Sequence, residues 1–339
     1  MPKNAGTFAV SAADELAVTT RGGFIESRHA GSAIVLSPAG DVVVALGDPN
    51  ATILTRSALK PLQSLAMHEA GLSLPDARQT ALSFASHSGT PTHTSAVREI
   101  LADAGLGESH LLCPPDWPAD TAAKHRMIAH GNQPSPINHC CSGKHAAMLR
   151  TCLAAGWPVI QYTHPEHPLQ QHIIATVQRM TAENPSPIAV DGCGAPVLGL
   201  SLAGLARGYR RMATADPKSP FPINRTMRAL LQAGMQHPEM VEGPNGMDTI
   251  AMQHAPVFAK FGAEGVSVMA AADGTVAAVK ILDGNSRASR AVTLSLLTYA
   301  GAVTRRQLAA ALAAMPLAIT GGGQKVGDIR VSIPKLSAR

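Results

Sequence analysis

Strand-like segments near both ends of the chain constrain its fold more than any other feature. The segment SAIVLSPAGDVVVALG, at residues 32–47, has two apolar, β-branched runs around the turn-forming tetrapeptide PAGD, which predicts a β-hairpin. Two more strands are predicted late in the chain, at residues 266–271 and 275–283. Helical periodicity is found between them, at residues 58–70, 144–155, 168–181 and 224–236. A sheet assembled from both ends of the chain, with helices inserted, predicts a mixed α/β (α+β) fold.

Composition and charge exclude several classes of protein. Only 15% of the 339 residues are charged, and the net charge of +5 is dispersed, because no run of lysines and arginines exceeds two residues. Without a basic stripe or stacking aromatic residues, we predict no nucleic-acid binding. Asp14 and Glu15 interrupt the apolar run that a signal peptide needs, and no later segment resembles a membrane span. We therefore expect a cytoplasmic protein that does not associate with membranes.

Proline and cysteine usage give further expectations. Two proline-rich stretches, residues 113–137 and 216–224, predict loops or sets of short turns. Five cysteines, an odd number without an export signal, predict thiols or metal ligands rather than a disulfide framework. Cys113 and Cys152 lie in no polar cluster and are predicted to be buried as small apolar residues.

The motif Ser-x-x-Lys at Ser57 and Lys60 has two interpretations. Pro61 is tolerated only in the first turn of a helix, which places the predicted start of the helix at Ser57. Ser57 could then be a helix cap and nothing more. Alternatively, Lys60 could remove the proton of the Ser57 hydroxyl and make it a nucleophile, with Arg56 as the neighbouring cation that keeps the lysine neutral.

A second polar cluster follows in SFASHSGTPTH, residues 83–93. Small polar residues around a glycine are typical of a turn that caps the next helix. The other interpretation is a substrate-binding loop, in which Ser86 contributes a second serine hydroxyl beside His87 and Ser88.

Two cysteine-containing segments suggest a metal site or a reactive thiol. NHCCSGKHAAM, residues 138–148, brings Cys141 and Lys144 together with His139, Cys140 and His145. Sulfur and nitrogen donors of this kind suit zinc or a thiol of low pKa. The segment VDGCGAPV adds Cys193 and, two residues before it, Asp191. No C-x-x-C or H-E-x-x-H motif supports a standard zinc site, so both interpretations stay open.

Lys260 lies in the apolar segment VFAKFGAEG. Its neighbours would desolvate it, and desolvation lowers the pKa of a lysine and makes it a candidate proton carrier. The alternative is a lysine whose long side chain extends out of an apolar strand into water.

Taken in order, the motifs TRGG, ALGDP, RSALKPLQ, ASHSG, CSGKHAAML, HPEHPLQ, DGCGAP, HPEMVEG, AKFGAEGV and VKILDGN resemble the L-asparaginases of the thermolabile, Rhizobium etli type, the asparaginase II family. The resemblance runs from about Thr20 to the C-terminus. It implies a sheet flanked by helices like that of serine β-lactamases and penicillin-binding proteins, with a helical insertion, in one catalytic domain over residues 1–339. It also implies a homodimer and the hydrolysis of L-asparagine to L-aspartate and ammonia.

The resemblance assigns roles to individual residues. The catalytic positions it implies are Ser57, Lys60, Ser86 and Lys260. The implied substrate-binding positions are Arg56, His87, Ser88 and Asp191. The implied ligands of an accessory zinc ion are Cys141, Lys144 and Cys193. One departure is Cys140, which stands where the family typically has asparagine and could act as an alternative ligand or oxidise.

The leading hypothesis is that Ser57, deprotonated by Lys60, attacks the side-chain amide of asparagine and forms an acyl-enzyme. One alternative makes a zinc-bound hydroxide the nucleophile, as in amidohydrolases and deaminases, although the chain lacks the H-x-E and P-C-x-x-C motifs of nucleobase deaminases. The other alternative is a non-catalytic amino-acid-binding or metal-binding relative that keeps the fold. The degree of preference for asparagine over glutamine is left open, because one methylene group changes binding by only about 1–3 kcal/mol.

Overall fold

A helix-rich middle separates two strand-rich ends, in a computed structural model that describes residues 6–337. The strands are β1 (Asp14–Arg21), β2 (Phe24–Leu36), β3 (Val42–Leu46), β4 (Thr52–Leu54), β5 (Ile188–Val190), β6 (Pro196–Ser201), β7 (Val257–Gly262), β8 (Val266–Ala271), β9 (Val276–Ile281), β10 (Ala318–Gly321) and β11 (Gln324–Val331). The α-helices are α1 (Lys60–Glu69), α2 (Ala77–Leu82), α3 (Pro91–Ala102), α4 (Thr121–Ala129), α5 (Ser142–Ala154), α6 (Pro168–Thr181), α7 (Leu202–Ala213), α8 (Pro222–Gln236), α9 (Pro238–Val241), α10 (Met247–His254), α11 (Ser289–Tyr299), α12 (Arg305–Ala314) and α13 (Pro334–Ser337).

The described residues form two compact units. The first, which we call the sheet unit, contains residues 6–58, 199–214 and 250–337. The second, which we call the helical unit, contains residues 59–198 and 215–249. The chain passes from the sheet unit to the helical unit between Ala58 and Leu59.

The sheet unit is built on an antiparallel sheet whose strands come from both ends of the chain. Within residues 6–337 the strand order is β10-β11-β1-β2-β9-β8-β7, and β3 pairs with the end of β2. The predicted hairpin is confirmed in β2 and β3, and the two late strands are confirmed in β8 and β9. Every residue of β8 and β9 is buried, because both faces of the sheet are covered there; α7 and α11 contact both strands. The predicted mixed α/β fold is therefore confirmed.

The helical unit is organised around α1, which contacts α5, α6 and α8. The first eight residues of α1, from Lys60 to Met67, are all buried. The helices predicted at 144–155, 168–181 and 224–236 are confirmed as α5, α6 and α8, each beginning within two residues of the predicted start. No helix within residues 6–337 combines the length and the apolar character needed to cross a bilayer.

The prediction that residues 113–137 form only loops and turns is wrong. Helix α4 occupies nine of these residues, and Asp120 caps it by accepting a hydrogen bond from the backbone N–H of Ala123 at 2.7 Å. Ala123 is the one buried residue of α4. A helix with almost no apolar face has no hydrophobic periodicity, so the pattern could not reveal it.

The predicted α-helix start at Ser57 is also wrong, although Pro61 does lie in the first turn of α1 as expected. Ser57 belongs to a preceding 3₁₀ turn, Arg56–Leu59, and the residue at the N-cap position of α1 is Leu59, which makes no side-chain cap. Arg56 has a left-handed backbone, with φ of 48°, which turns the chain immediately before Ser57. Within the described residues the Ser57 hydroxyl makes no hydrogen bond, so it does not act as a cap.

Gly262, at the end of β7, lets this strand pack closely against the backbone on either side of Ser57. A Cβ atom at this position would lie 2.7 Å from the carbonyl oxygen of Thr55 and 3.1 Å from the amide nitrogen of Ala58. Backbone atoms cannot move aside as the end of a flexible side chain can. The absence of a side chain at Gly262 therefore fixes where Lys260, two residues earlier on β7, lies relative to Ser57.

We predict that Gly262→Ala lowers the free energy of unfolding by about 1–3 kcal/mol, because the added methyl group overlaps backbone atoms. Urea unfolding of the variant and the unchanged protein measures the difference. Gly107→Ala is the matched control, since a Cβ there meets nothing within 4 Å and its φ is −131°. Equal losses in the two variants would contradict the close packing at Gly262.

Candidate functional site

In the sheet unit, the segment that carries Ser57 is held by several contacts. The backbone N–H of Ala58 donates to the carbonyl of Thr55 at 3.2 Å, and the Tyr209 hydroxyl donates to the carbonyl of Ala58 at 2.6 Å. The guanidinium of Arg56 lies 4.0 Å from the Glu264 carboxylate. A left-handed backbone at a residue such as Arg56 costs energy and persists only where the surroundings impose it. Ser57 is thus presented on a strained but well-anchored turn.

Lys260 is fully buried on β7, with 0% of its surface exposed. Its ammonium group donates to the carbonyl of Phe261 at 2.9 Å and lies 4.2 Å from the centre of the Phe261 ring. The guanidinium carbon of Arg290 lies 4.2 Å from the centre of the same ring. The interpretation that Lys260 extends into water is therefore wrong. Its ammonium group is stabilised by a carbonyl and an aromatic face inside the protein.

In the helical unit, Lys60 pairs with the second predicted serine. Its Nζ donates to the carbonyl of Ala85 and to the Oγ of Ser86, the latter at 2.9 Å. Ser86 is itself fixed by a hydrogen bond from its backbone N–H to the carbonyl of Val241 at 2.8 Å. Lys60 is only 1% exposed and Ser86 6%. The structure thus contains a buried pair of Lys60 and Ser86 joined by a direct hydrogen bond.

His87 is held in one neutral form by its neighbours. The Ser142 hydroxyl donates its proton to the carbonyl of Ile137 at 2.8 Å, so Nε2 of His87 must donate to Ser142, at 2.9 Å. Nδ1 accepts from the backbone N–H of Gly89 at 3.1 Å. Burial, the stacked ring of His93 and the charge of Lys60 hold the pKa of His87 well below its ordinary value.

The hydrogen bonds of this loop give different roles to His87 and Ser88, the two residues predicted there to bind substrate. Both ring nitrogens of His87 are occupied by protein groups, so its contacts fix the loop. Ser88, by contrast, has a buried hydroxyl with no hydrogen-bond partner within the described residues. A buried hydroxyl without a partner is unusual and marks Ser88 as the more available donor.

The three predicted zinc ligands come together in the helical unit. Nζ of Lys144 lies 3.4 Å from Sγ of Cys193, and the Cys141 and Cys193 thiols interact directly. All three side chains are buried, and the carboxylate of Asp191 is near enough to act on the charge of Lys144. Thiolates are preferred zinc ligands, and a lysine that has lost its proton can add a nitrogen donor, so the residues present fit this metal.

Charges within this cluster shift its pKa values. The Cys140 thiol raises the pKa of Cys141, but the Cys193 thiol and the charge of Lys60 outweigh it, so the pKa of Cys141 lies below its ordinary value. Burial by itself lowers the pKa of Lys144, yet the two thiols and Asp191 raise it above its ordinary value. Lys144 is therefore charged in the metal-free protein, and a metal would have to displace its proton.

A second set of donors overlaps the first at Cys141. Ligand atoms of His139, Cys140 and Cys141 lie within 4.8 Å of one another, and the sulfur atoms of Cys140 and Cys141 are 3.7 Å apart. However, Nδ1 of His139 accepts a hydrogen bond from the backbone N–H of Cys141 at 3.0 Å. A neutral histidine that accepts at Nδ1 carries its proton on Nε2, so neither nitrogen of His139 offers a lone pair to a metal in this arrangement, which favours the set that contains Lys144 and Cys193.

Sequence reasoning missed several residues that shape the site. The hydroxyl of Tyr162 lies 2.7 Å from Nδ1 of His145, and burial lowers the pKa of His145 to about 4, so this histidine stays neutral. Ser142 and Tyr209 act only through neighbours that are distant in sequence. No local pattern marks such residues, because the hydrogen bonds that give them their roles join positions distant in sequence. The predicted burial of Cys113 and Cys152 is confirmed.

Comparison with known proteins gives the chain its family. L-asparaginase II matches residues 17–331, which is nearly the whole chain. The chain belongs to the L-asparaginase II family. The resemblance seen in the motifs is confirmed, and as a member of this family the protein is a hydrolase of amides.

Other similarities to the L-asparaginase II chain are more distant. No curated protein matches it. A structure described as "putative beta-lactamase" from Bacteroides dorei DSM 17855 is 13% identical, with a TM-score of 0.44, and the match covers 79% of this chain and 93% of that one. Mglu in its glutamate form is 12% identical, with a TM-score of 0.41, and the match covers 79% of this chain and 60% of Mglu. The family member thus spans less than two thirds of the length of Mglu.

We predict that the stability of this asparaginase-family protein falls as the pH drops below about 6.5, the ordinary pKa of histidine. Burial depresses the folded-state pKa of both His87 and His93, so below that pH the unfolded chain takes up protons that the folded chain refuses. Above it both states are neutral at these positions and the effect disappears. Urea unfolding between pH 5 and 8 measures the slope, which is at most about 1.4 kcal/mol per pH unit for each histidine.

His93→Gln is expected to give a shallower pH dependence, because it removes one of the histidines whose pKa is depressed in the folded protein. His125→Gln, a change at an exposed histidine of α4, is the control and should leave the slope unchanged. An unaltered slope in His93→Gln would show that acid destabilisation has another origin.

Proposed function

We propose that the protein is an L-asparaginase that hydrolyses L-asparagine to L-aspartate and ammonia through a serine activated by lysine. The observation that carries the proposal is the buried hydrogen bond between Lys60 and Ser86, at 2.9 Å. Lys60 is also the lysine of the Ser-x-x-Lys motif that begins at Ser57. Membership of the L-asparaginase II family supports the choice of substrate.

In the proposed reaction the Lys60 ammonium group of the resting site first releases a proton to solvent; the resulting amine takes the proton of Ser57, and the serine oxygen attacks the side-chain amide carbon of asparagine. The carbon–nitrogen bond then breaks, and the proton held by Lys60 passes to the nitrogen, which leaves as ammonia. Water hydrolyses the resulting ester, regenerating Ser57 and releasing aspartate. We assign Ser86 and Lys260 to proton relay and to holding the hydroxyl groups in place, and Arg56, Ser88 and Asp191 to binding the polar groups of the substrate.

The residues Cys141, Lys144 and Cys193 are the proposed zinc ligands. When bound, zinc would supply a Lewis acid that anchors the α-amino and α-carboxylate end of the amino acid. The cluster's two thiols and its buried amine support this assignment. The proposed role of the metal is binding, and the serine remains the nucleophile.

The bond between Lys60 and Ser86 also supports a second assignment, in which Ser86 is the nucleophile and Ser57 assists. Lys60 contacts Ser86 directly, whereas the Ser57 hydroxyl makes no hydrogen bond within residues 6–337. Catalytic hydrogen bonds often tighten only when substrate binds, so in the first assignment Ser57 gains its bond to Lys60 in the substrate complex. The two assignments predict different acyl-enzymes.

We predict that Ser57→Ala lowers kcat for ammonia release from L-asparagine by at least about a thousandfold, because the attacking oxygen is lost. Rapid quench followed by peptide mass spectrometry should locate the aspartyl ester on Ser57 in the unchanged protein. An ester found on Ser86, with turnover retained in Ser57→Ala, would reverse the two roles. Ser95→Ala, a change at an exposed serine of α3, is the control and should keep full activity.

We predict that removing zinc with a chelator raises KM for asparagine by about tenfold or more while kcat changes much less. Zinc content measured by mass spectrometry should fall in Cys141→Ala and stay unchanged in Cys152→Ala, since Cys152 lies outside the cluster. Loss of all activity at saturating substrate would favour the zinc-hydroxide mechanism. A protein that binds asparagine but releases no ammonia would instead be the non-catalytic relative.

The homodimer and the single catalytic domain stay proposals that rest on the resemblance, and the cytoplasmic location stays a proposal that rests on Asp14 and Glu15, which interrupt the apolar run a signal peptide needs. Light scattering of the full chain measures the oligomeric state directly, and a mass of one chain would contradict the dimer.

A further inference from the structure

We propose that the helical unit has a second binding site, a cationic groove for a small metabolite that carries a phosphate or two carboxylates. The groove is a cavity of about 480 Å³ whose lining includes Gly89, Thr94, Arg98, Arg126, His130 and Asn138. None of the residues proposed for asparagine hydrolysis lines it. The inference is therefore independent of the proposed function.

The two arginines of the groove have no acidic partner within residues 6–337. Within the part of the chain that the structure describes, neither Arg98 nor Arg126 forms an ion pair or a side-chain hydrogen bond. Other arginines of the same unit do: Arg150 lies 3.2 Å from Asp103, and Arg179 lies 2.6 Å from Glu69. Two guanidinium groups that line one cavity without a counter-ion create a positive potential there.

Among residues 6–337, the carboxylates that lie close in sequence to the groove form no ion pair with its two arginines and make other contacts. Glu99, the residue next to Arg98, is bonded to Arg78 at 2.7 Å. Asp120 accepts the backbone N–H of Ala123 at 2.7 Å as the cap of α4, and Asp116 accepts that of Trp117 at 2.8 Å. The residues that line the cavity include no aspartate or glutamate.

Helix α4 adds to the positive charge. Lys124, Arg126 and His130 are all exposed on this nine-residue helix and its C-cap, and the positive charges of Lys124 and Arg126 have no acidic partner among the described residues. In the sequence these residues look dispersed, because Arg98 lies on α3, far from α4 along the chain. The fold brings α3 and α4 to one cavity, which the search for basic runs could not detect.

The floor of the groove is polar and firmly built. Thr94 and Asn138 are buried, at 7% and 5% exposure; the Thr94 hydroxyl donates to the carbonyl of Pro91 at 3.3 Å, and the Asn138 amide donates to the Ser135 hydroxyl at 3.1 Å. Gly89 has a left-handed backbone, with φ of 72°, and a Cβ there would lie 3.1 Å from the carbonyl oxygen of Asn138 and 3.0 Å from Cα of Pro118. The backbone at Gly89 therefore packs against Asn138 and Pro118 with no room for a side chain.

These features define the chemistry of the ligand. Guanidinium groups bind phosphate and carboxylate oxygens in pairs of parallel hydrogen bonds. A cavity of about 480 Å³ is larger than a bare oxyanion needs and falls in the range of small-molecule sites. Amides at Asn132 and Gln133, which also line the cavity, can bond to the polar body of such a ligand.

The test is isothermal titration of the full chain at low salt, since screening weakens exposed charges. Three probes are titrated separately: inorganic phosphate, adenosine monophosphate and succinate. We expect at least one to bind with a Kd below about 1 mM. Tightest binding of adenosine monophosphate would identify a phosphate ester as the ligand, and tightest binding of succinate a dicarboxylate.

Variants then locate the site. Arg98→Ala with Arg126→Ala should weaken the tightest probe at least about tenfold, and Arg98→Lys with Arg126→Lys should weaken it by a smaller factor, because lysine keeps the charge but not the paired hydrogen bonds. The control removes the same charge from α12, as Arg305→Ala with Arg306→Ala, and should change the Kd less than twofold. The proposal is overturned if none of the three probes binds, or if the Arg98 and Arg126 alanine variant binds as tightly as the unchanged protein. All these arginines are exposed, so the variants are expected to fold.

Discussion

Burying a lysine ammonium group is costly unless its protons find acceptors, and three lysines within residues 6–337 are almost completely buried. Lys60, Lys144 and Lys260 are each no more than 2% exposed. Carbonyl and hydroxyl oxygens hold the first, a thiol holds the second, and a carbonyl with an aromatic ring holds the third. Each set of partners must be in place before the charge can be buried. The rest of each unit can be understood as the framework that keeps these acceptors fixed, which is also what pre-organised catalysis requires.

The elements with strong hydrophobic patterns could be predicted from the sequence, and those without could not. Strands β8 and β9 and helices α5, α6 and α8 carry apolar residues at regular spacing, and each lies close to where it was expected. Helix α4 has a single buried residue, so its existence depends on a cap and on backbone hydrogen bonds rather than on a hydrophobic face. The start of α1 was misplaced for a different reason. The left-handed backbone of Arg56 is imposed by its surroundings. Arginine ordinarily avoids this conformation, so the residue type gives no sign of it in the sequence.

At the candidate site, too, the sequence predicted the residue types but not the contacts that the folded chain makes. The motifs identified Ser57, Lys60, Ser86 and the cysteine cluster, because these residue types are chemically distinctive. Which groups bond to one another could not be read in the same way, since the lysine of the Ser-Lys motif bonds to a serine 26 residues further on. The paired His87 and His93 rings, and the hydroxyl that fixes one of them, likewise depend on the packing of α3 against α5.

The order of strands in the sheet unit has a consequence for how the protein is made in the cell. Ala17 of β1 pairs with Val331 of β11. Strand β1 is synthesised early, but its partner β11 leaves the ribosome only near the end of synthesis. At roughly 5–20 residues per second, the ribosome would leave the apolar edges of β1 and β2 without their partners for some tens of seconds. Throughout that interval the nascent chain exposes a surface that readily pairs with other unfinished chains. Efficient production should therefore depend on chaperones that cover these early strands, and a message truncated before β11 would yield a chain that aggregates.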